Sequence, residues 1–277
     1  MAISRSDPPP PEPPIESGHH GPPDHALFWE RCGGRSQPAV LFLHHGLGST
    51  RAWRAQVTAF AQRGWQAVAY DRWGYGRSSP RPSLDLPTFD TDVEDLAALL
   101  DGLGLRRAAL VGHSDGGTTS LYFAARYPQR VAALVTVAAH IYLEPLMLPG
   151  MLALRRSHAS DARFREGLRR AHGEQGERVF DNWYGGWMNP SHLGWDMRPM
   201  LGSVRCPTLV IQGELDEHAT PRHARDLAEG IPGSQLWLLP GVGHMPPQDA
   251  PDEFNRYVLE FLEPYRQGAT GQESWIL

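Results

Sequence analysis

Apolar residues occur along this chain in short runs, each ended by a glycine or a polar turn. Such runs are typical of strands that are buried on both faces of a parallel sheet. They predict strands at Ala39 to Leu43, Gln66 to Tyr70, Ala108 to Val111, Val131 to Val137, Thr208 to Gln212 and Gln235 to Leu239. An earlier segment, His25 to Cys32, also favours a strand, and the prolines near it leave its pairing open.

Between the predicted strands, apolar residues follow the spacing of helices. Helices are predicted at Trp53 to Arg63, Asp92 to Leu103 and Leu121 to Tyr127, from about Pro221 onward, and at Pro251 to Leu262. Strands that alternate with helices in this way predict an α/β fold, with a mostly parallel central sheet and helices on both faces.

The alternation is interrupted once, over residues 140–203. This segment is rich in Trp, Met, Gly and Arg, and it contains helical pieces but no convincing strand. We interpret it as a helical lid inserted into a core that residues 25–139 and 204–265 form. Residues 1–24 are dominated by proline, and we expect a flexible tail there because this composition buries too little apolar surface to fold alone.

Composition narrows the chemistry that the chain can perform. The chain has 277 residues, and all 26 of its basic residues are arginine. Without lysine, Schiff-base chemistry, the phosphate-binding lysine of a P-loop and Ser-Lys hydrolysis are excluded. The 31 acidic residues give a net charge of −5, so no nucleic acid is expected as a partner.

Cysteine usage and hydropathy favour a cytoplasmic protein that does not bind a membrane. Cys32 and Cys206 are the only cysteines, which suits a reducing compartment. The N-terminus lacks a signal-peptide pattern, and the longest nearly apolar run, Val131 to Leu143, is too short to cross a bilayer. We expect a monomer or a small homo-oligomer.

A serine follows one of the predicted strands in a glycine-rich turn. The turn Gly112-His113-Ser114-Asp115-Gly116 comes directly after the strand that ends at Val111 and directly before a helix. In such a G-x-S-x-G turn the hydroxyl is held above the sheet, and the glycines avoid collisions with neighbouring backbone. Ser114 is therefore the candidate nucleophile.

Two further side chains follow strands at the same edge of the sheet. Asp216 comes after the strand that ends at Gln212, and His244 comes after the strand that ends at Leu239. Because the carboxyl ends of parallel strands share an edge, both side chains can reach Ser114. The chain order of serine, aspartate and histidine is that of hydrolases with this serine turn. Since the chain has no lysine, His244 is the candidate general base.

Backbone amides close to Ser114 are placed to stabilise negative charge. The segment His44-His45-Gly46-Leu47-Gly48 follows the first core strand. Acyl transfer places negative charge on a carbonyl oxygen, and one amide donor aimed at that oxygen is worth about 10²–10³ in rate. The N–H groups of Leu47 and Asp115 are the candidate oxyanion hole.

These motifs resemble the α/β-hydrolase fold family from about Ala39 to Leu262. The turn Asp71-Arg72-Trp73-Gly74-Tyr75-Gly76-Arg77-Ser78 is similar to the family's Asp-x-x-Gly-x-Gly-x-Ser turn, in which Asp71 is structural. Shorter segments are similar to the valacyclovir hydrolase or biphenyl-hydrolase-like group, namely Ser114 to Gly117, Val204 to Pro207 and Asp252 to Asn255. The resemblance implies an α/β-hydrolase fold with the lid inserted after the sixth strand.

Together, the residues and the resemblance predict a serine hydrolase. Such an enzyme would cleave a carboxylic ester, or a related acyl bond, of a small molecule through an acyl-enzyme intermediate. No metal and no other cofactor is expected, because the chain lacks the usual zinc-binding patterns. Two alternatives remain open: a ligand receptor of the same fold with little turnover, and cofactor-free perhydrolase, C–C hydrolase or acyltransferase chemistry on the same triad.

Asp115 has two interpretations beyond its N–H group. In the group that the chain resembles, the aspartate after the nucleophile binds the substrate's α-amino group, which implies an amino-acid ester as substrate. Alternatively, its charge complements only the helix dipole, which is worth about 0.3–1 kcal/mol. Other candidate substrate-binding residues are aromatic or thioether side chains, which either line a pocket or pack the lid on the core. They are Trp53, Met147, Met151, Trp183, Trp187 and Met245.

Overall fold

The central feature of the fold is an eight-stranded sheet within residues 14–269, the part of the chain that the computed structural model describes. Its strands are β1 (Ile15–His20), β2 (Leu27–Cys32), β3 (Ala39–Leu43), β4 (Gln66–Tyr70), β5 (Ala108–His113), β6 (Val131–Val137), β7 (Thr208–Gly213) and β8 (Gln235–Leu239). They lie in the order β1-β2-β4-β3-β5-β6-β7-β8. The pairs β1–β2 and β2–β4 are antiparallel, and the other pairs are parallel.

Helices cover both faces of this sheet. Within the described residues they are α1 (Arg54–Gln62), α2 (Asp90–Gly102), α3 (Asp115–Arg126), α4 (Leu148–Ser160), α5 (Ala162–His172), α6 (Gly176–Trp187), α7 (Pro221–Gly230), α8 (Pro246–Asp249) and α9 (Pro251–Leu262). On one face, apolar side chains of α2, α3 and α7 join the buried core, and on the other face those of α1 and α9 do so. The sheet is therefore doubly covered, as the sequence predicts.

The double cover explains the hydrophobic pattern of the central strands. Every residue of β3, β4, β5, β6 and β7 is buried. A strand with a helix layer on each face has no solvent side, so its sequence is a continuous apolar run instead of an alternating one. The carboxyl ends of these parallel strands meet at one edge of the sheet, where the loops after β3, β5, β7 and β8 lie.

Three helices, α4 to α6, lie between β6 and β7, within the segment that we interpret from the sequence as a lid. Helix α6 packs on the core through Trp183 and Trp187, which share an apolar cluster with Leu86 and Phe89. No helix among residues 14–269 has the length and the apolar composition that a bilayer span requires.

The prediction of a tail over residues 1–24 is wrong for Ile15–His20, which form β1. This strand pairs antiparallel with the whole of β2 through backbone groups, which a polar sequence can do as well as an apolar one. Glu16 adds a side-chain contact, because it accepts a hydrogen bond of 3.2 Å from Nε of Arg31. The rest of the predicted tail, residues 1–13, lies outside the described residues.

Candidate active site

Ser114 occupies a strained turn between β5 and α3. Its backbone has φ 53° and ψ −119°, a conformation that side chains other than glycine rarely adopt. The turn is crowded on both sides. A Cβ on Gly112 would lie 2.2 Å from the carbonyl oxygen of Gly116, and a Cβ on Gly116 would lie 2.3 Å from that of Leu43. The predicted need for glycines two residues before and after the serine is therefore explained by close backbone approach.

The structure brings Ser114, His244 and Asp216 into one chain of hydrogen bonds. Nε2 of His244 lies 3.0 Å from Oγ of Ser114, and Nδ1 lies 2.9 and 2.8 Å from the two carboxylate oxygens of Asp216. A carboxylate only accepts hydrogen bonds, so Nδ1 of His244 carries the ring proton. This N–H group donates a hydrogen bond to Asp216. Nε2 is then unprotonated and accepts from the hydroxyl of Ser114, as a general base requires.

Asp216 is held as an anion by its neighbours. Burial alone would raise the pKa of this carboxyl, but the hydrogen bond from His244 and those from the backbone N–H groups of Ala219 and His218 lower the pKa below its ordinary value. The side-chain amide of Gln212 also donates to Asp216. The carboxylate is therefore ionised and fixed in the orientation that holds the ring of His244.

His113, the residue before the nucleophile, holds the backbone of His244 in place. Its Nε2 donates a hydrogen bond of 2.7 Å to the carbonyl oxygen of His244. Its side chain is buried, and burial lowers the pKa of His113 well below 6.5, so the ring is neutral. The sequence analysis did not identify this role, because nothing in the pentapeptide indicates which way the x residues of a G-x-S-x-G turn point.

The loop after β3 lines the same cavity as Ser114. Among its residues, His44 has a fixed tautomer: Nε2 accepts from the N–H of Arg72 at 3.1 Å, so Nδ1 donates to the carbonyl oxygen of His45 at 2.7 Å. The N–H of Leu47, one of the two candidate oxyanion donors, makes only a long contact of 3.4 Å with Nδ1 of His45. The other candidate donor, the N–H of Asp115, lies at the start of α3, where the helix dipole favours an anion.

His172 also holds the loop after β3 in place through a hydrogen bond to its backbone. Nδ1 of His172, at the end of α5, accepts from the N–H of Gly76 at 2.9 Å. Its Nε2 therefore carries the proton and donates to the carbonyl oxygen of Leu47 at 3.0 Å. Helix α5 is thus joined directly to the peptide that follows the candidate oxyanion donor.

The carboxylate of Asp115 is fully buried, and both of its oxygens already accept hydrogen bonds. Nε1 of Trp183 donates to one of its oxygens at 3.0 Å, and Nε1 of Trp187 donates to the other at 3.2 Å. The guanidinium of Arg72 lies 3.7 Å away. Burial raises the pKa of Asp115 to about 6, although Arg72 and the two indoles oppose the shift. Asp115 therefore joins helix α6 to the turn that carries the nucleophile. The sequence does not indicate this contact.

A cavity of about 400 Å³ opens at Ser114 and His244. Six residues that the sequence singled out line it: Leu47, Met147, Met151, Trp183, Trp187 and Met245. Its formally charged wall residues are Arg163 and Glu217, and both are exposed to solvent. The space beside the nucleophile is therefore mainly apolar.

Two predicted substrate-binding side chains do not line this cavity. Trp53 is 1% exposed and packs in the core against Phe42 and Phe254, so its prediction as a pocket residue is wrong. Its position after the oxyanion loop suggested the pocket, but the chain turns inward there into a short helical turn. The carboxylate of Asp115 lies behind the indoles that it binds.

Neutral histidines surround the site. Burial is the main cause that lowers their pKa values, to about 3 for His45, to about 4 for His172, and well below 6.5 for His44, His113 and His140. Among the described residues, no three His, Cys, Asp or Glu side chains are placed to hold a metal ion.

Comparison with known proteins places these features among hydrolases. A family model described as the alpha/beta hydrolase fold matches residues 38–182. The chain is 31% identical to the mouse (Mus musculus) protein named serine hydrolase BPHL, over 86% of this chain and 83% of that protein. It is 30% identical to a bifunctional esterase/perhydrolase of Acinetobacter calcoaceticus, over 85% of this chain and 95% of that protein. A solved hydrolase from Pseudomonas aeruginosa, 26% identical, superposes with a TM-score of 0.71 and covers 89% of this chain and 98% of that one.

Proposed function

Because the chain belongs to the alpha/beta hydrolase fold family, we propose that it is a serine hydrolase that cleaves a carboxylic ester, or a related acyl bond, of an apolar small molecule. The observation that carries the proposal is the hydrogen-bond chain from Ser114 through His244 to Asp216, at the end of a mainly apolar cavity. The relatives named as a serine hydrolase and as an esterase support the same chemistry.

In the proposed first half-reaction, Oγ of Ser114 attacks the acyl carbon as Nε2 of His244 takes the hydroxyl proton. Negative charge develops on the carbonyl oxygen and is bound by the N–H groups of Leu47 and Asp115. The tetrahedral intermediate then loses its alcohol oxygen, to which His244 gives the proton. Asp216 stabilises the ring of His244 while it is charged.

In the second half-reaction, water replaces the alcohol. His244 takes a proton from the water as its oxygen attacks the acyl carbon, and returns the proton to Oγ of Ser114 as the acyl-enzyme bond breaks. The products are a carboxylic acid, an alcohol and the free enzyme. Apart from the ester, one water molecule is consumed, and the steps balance with the residues of the chain as the proton carriers.

The burial of Asp115 bears on the choice of ester. An amino-acid ester would need a carboxylate that faces its ammonium group. Both oxygens of Asp115, the predicted partner, accept indole N–H groups instead, and the other carboxylate of the cavity, Glu217, is exposed to solvent. An ammonium group would have to displace Trp183 and Trp187 from the lid contact. We therefore propose esters with an uncharged acyl part as the substrates, rather than amino-acid esters.

A labelling experiment with a fluorophosphonate probe tests the nucleophile. The wild-type chain should be labelled on Ser114, and the Ser114→Ala chain should not. An ester panel should show turnover that falls by about 10⁴ or more in Ser114→Ala and in His244→Ala, because the triad acts as a unit. Absence of labelling and of turnover on every ester would favour a ligand receptor. Labelling without ester turnover would favour C–C hydrolase or acyltransferase chemistry on the same serine.

A further inference from the structure

A second apolar cavity lies behind one wall of the active-site cavity. It has a volume of about 450 Å³, similar to the cavity at Ser114. The two cavities share three lining residues, Met147, Met151 and Trp187. These three side chains are therefore the partition between the nucleophile's cavity and the space behind it.

The partition is rigid on one side and adaptable on the other. Trp187 is held by its hydrogen bond of 3.2 Å to Asp115. Met147 and Met151 are buried, and their apolar side chains pack in the wall without the hydrogen-bonding group that Trp187 has. An unbranched thioether has three rotatable bonds and fills irregular space, so it changes rotamer at little cost. The methionines are thus the part of the wall that can move.

The walls of the second cavity suit an apolar occupant. Outside the partition its lining includes Leu148, Met188 and Leu193. Its acidic wall residue, Glu144, has a side chain only 10% exposed. One oxygen of that carboxylate accepts from the N–H of Thr220 and contacts Nε2 of His223 at 3.1 Å. Asn189 also lines the cavity, and the other lining residues outside the partition are apolar.

The outer rim of the second cavity is apolar as well. Leu193 is 75% exposed and Leu148 is 46% exposed, and Leu146, 68% exposed, lies next to the lining residues Pro145 and Met147. Exposed apolar groups that adjoin a cavity mark a binding surface more often than isolated ones do. The second cavity is adjacent to the catalytic residues because it shares the partition with the cavity of Ser114.

We propose that the second cavity binds the far end of a long apolar chain in the substrate, and that Met147 and Met151 move aside to let the chain pass. The substrate class is then the esters of long-chain aliphatic acids or alcohols. This inference rests on the proposed ester hydrolysis, and it adds the length of the chain that the enzyme accepts. The occupant is assigned from the shared partition and from the mainly apolar lining of the second cavity.

A matched pair of variants tests the proposal. Leu148 and Leu152 both lie on α4 and are 46% and 42% exposed, but only Leu148 lines the second cavity. In Leu148→Trp the larger side chain should fill the path of a long chain, whereas Leu152→Trp should not. The assay is kcat/KM on 4-nitrophenyl esters from acetate to dodecanoate.

Each methylene group that leaves water should raise kcat/KM by about fourfold. In the wild type the rise should continue past the length at which the chain meets the methionines. Loss of only two or three buried methylenes would lower the dodecanoate-to-acetate ratio of kcat/KM by about tenfold or more in Leu148→Trp, relative to Leu152→Trp. A Met151→Ala variant should shift the ratio the opposite way, because it widens the passage.

The proposal is overturned if the two tryptophan variants give the same chain-length profile. Equal effects would be expected if the leucines contact another protein or a second copy of this chain. Calorimetric binding of 1-decanol and 1-butanol to Ser114→Ala, with and without Leu148→Trp, separates this test from the proposed chemistry. Weaker decanol binding in the double variant would support the second cavity even if no ester were hydrolysed. Equal decanol affinity in both would refute it.

Discussion

Acidification from pH 7 to 5 should destabilise the folded protein through the buried histidines around Ser114. Burial lowers the pKa values of seven of them: His44, His45, His113, His140, His172, His218 and His223. In the unfolded chain the same rings take up protons as the pH falls through 6.5. Between pH 6.5 and about 4 the unfolded state therefore binds more protons than the folded state, and stability is lost as the pH falls.

Three carboxyls whose pKa values are raised by burial, Asp71, Asp95 and Asp115, oppose this effect. Burial raises the pKa values of Asp71 and Asp115 to about 6, so the folded state holds protons there that the unfolded state has already released. Their contribution has the opposite sign, and it makes the folded state more stable as the pH falls from 6 to about 4. At pH 5.5 the five histidines whose pKa values lie furthest below 6.5 (His44, His45, His113, His140 and His172) take up about 4.5 protons on unfolding, and Asp71 and Asp115 release about 1.5. His218 and His223 add to the uptake, and Asp95 adds to the release.

The balance is an uptake of about three protons on unfolding, which corresponds to about 4 kcal/mol of stability lost per pH unit near pH 5.5. At this slope, a free energy of unfolding of about 5–15 kcal/mol would fall to zero within a few pH units. Urea unfolding followed by tryptophan fluorescence at pH 7, 6, 5.5 and 5 measures the slope. His140→Phe keeps an aromatic ring and removes one titrating group, so its slope should be lower by about one proton. A wild-type slope of one proton or less, or stability that rises below pH 6, would refute the reasoning.

Three further predictions concern single contacts at the site. His113→Phe removes the donor to the carbonyl oxygen of His244 and keeps the ring, so kcat on a short-chain ester should fall about tenfold with little change in KM; a change confined to KM would contradict this role. A double-mutant cycle of Asp115→Asn and Trp183→Phe in urea unfolding should give a coupling free energy of about 1–3 kcal/mol, because it isolates one charge-assisted hydrogen bond. In Gly46→Ala the new Cβ would lie 1.9 Å from Nε1 of Trp183, and calorimetry should show stability lower by about 1–3 kcal/mol. Gly185→Ala, where a Cβ would meet nothing within 4 Å, is the control and should not be destabilised.

The sequence predicts the centre of the fold well because burial on both faces leaves a strong pattern. The apolar runs at Ala39–Leu43 and Val131–Val137 coincide with β3 and β6. The family and fold predictions are confirmed by the matching model and by the solved hydrolase. Helix α3 begins earlier than predicted, at Asp115, because its first turns contain Gly116 and Gly117, which are poor helix formers that packing on the sheet overrides.

Features that depend on tertiary contacts were not predictable from the pattern. Strand β1 carries polar side chains, and nothing in Ile15–His20 marks it as part of a sheet. The contacts of Trp183 with Asp115 join residues far apart in the chain, and periodicity carries no information about such pairs. The strand-to-helix turn at Ser114 was predictable because its sequence constraint is local.

Strand β1 also determines where the chain can be shortened. A chain that began at residue 25 would keep every strand from β2 onward but would leave the outer edge of β2 with unpaired backbone N–H and C=O groups. Such an edge pairs readily with another molecule, and β2 carries the apolar residues Leu27 and Phe28 beside it. A trimmed protein of this kind should self-associate through the sheet more readily than a chain that keeps Ile15–His20, because the edge strand β1 carries mostly polar side chains.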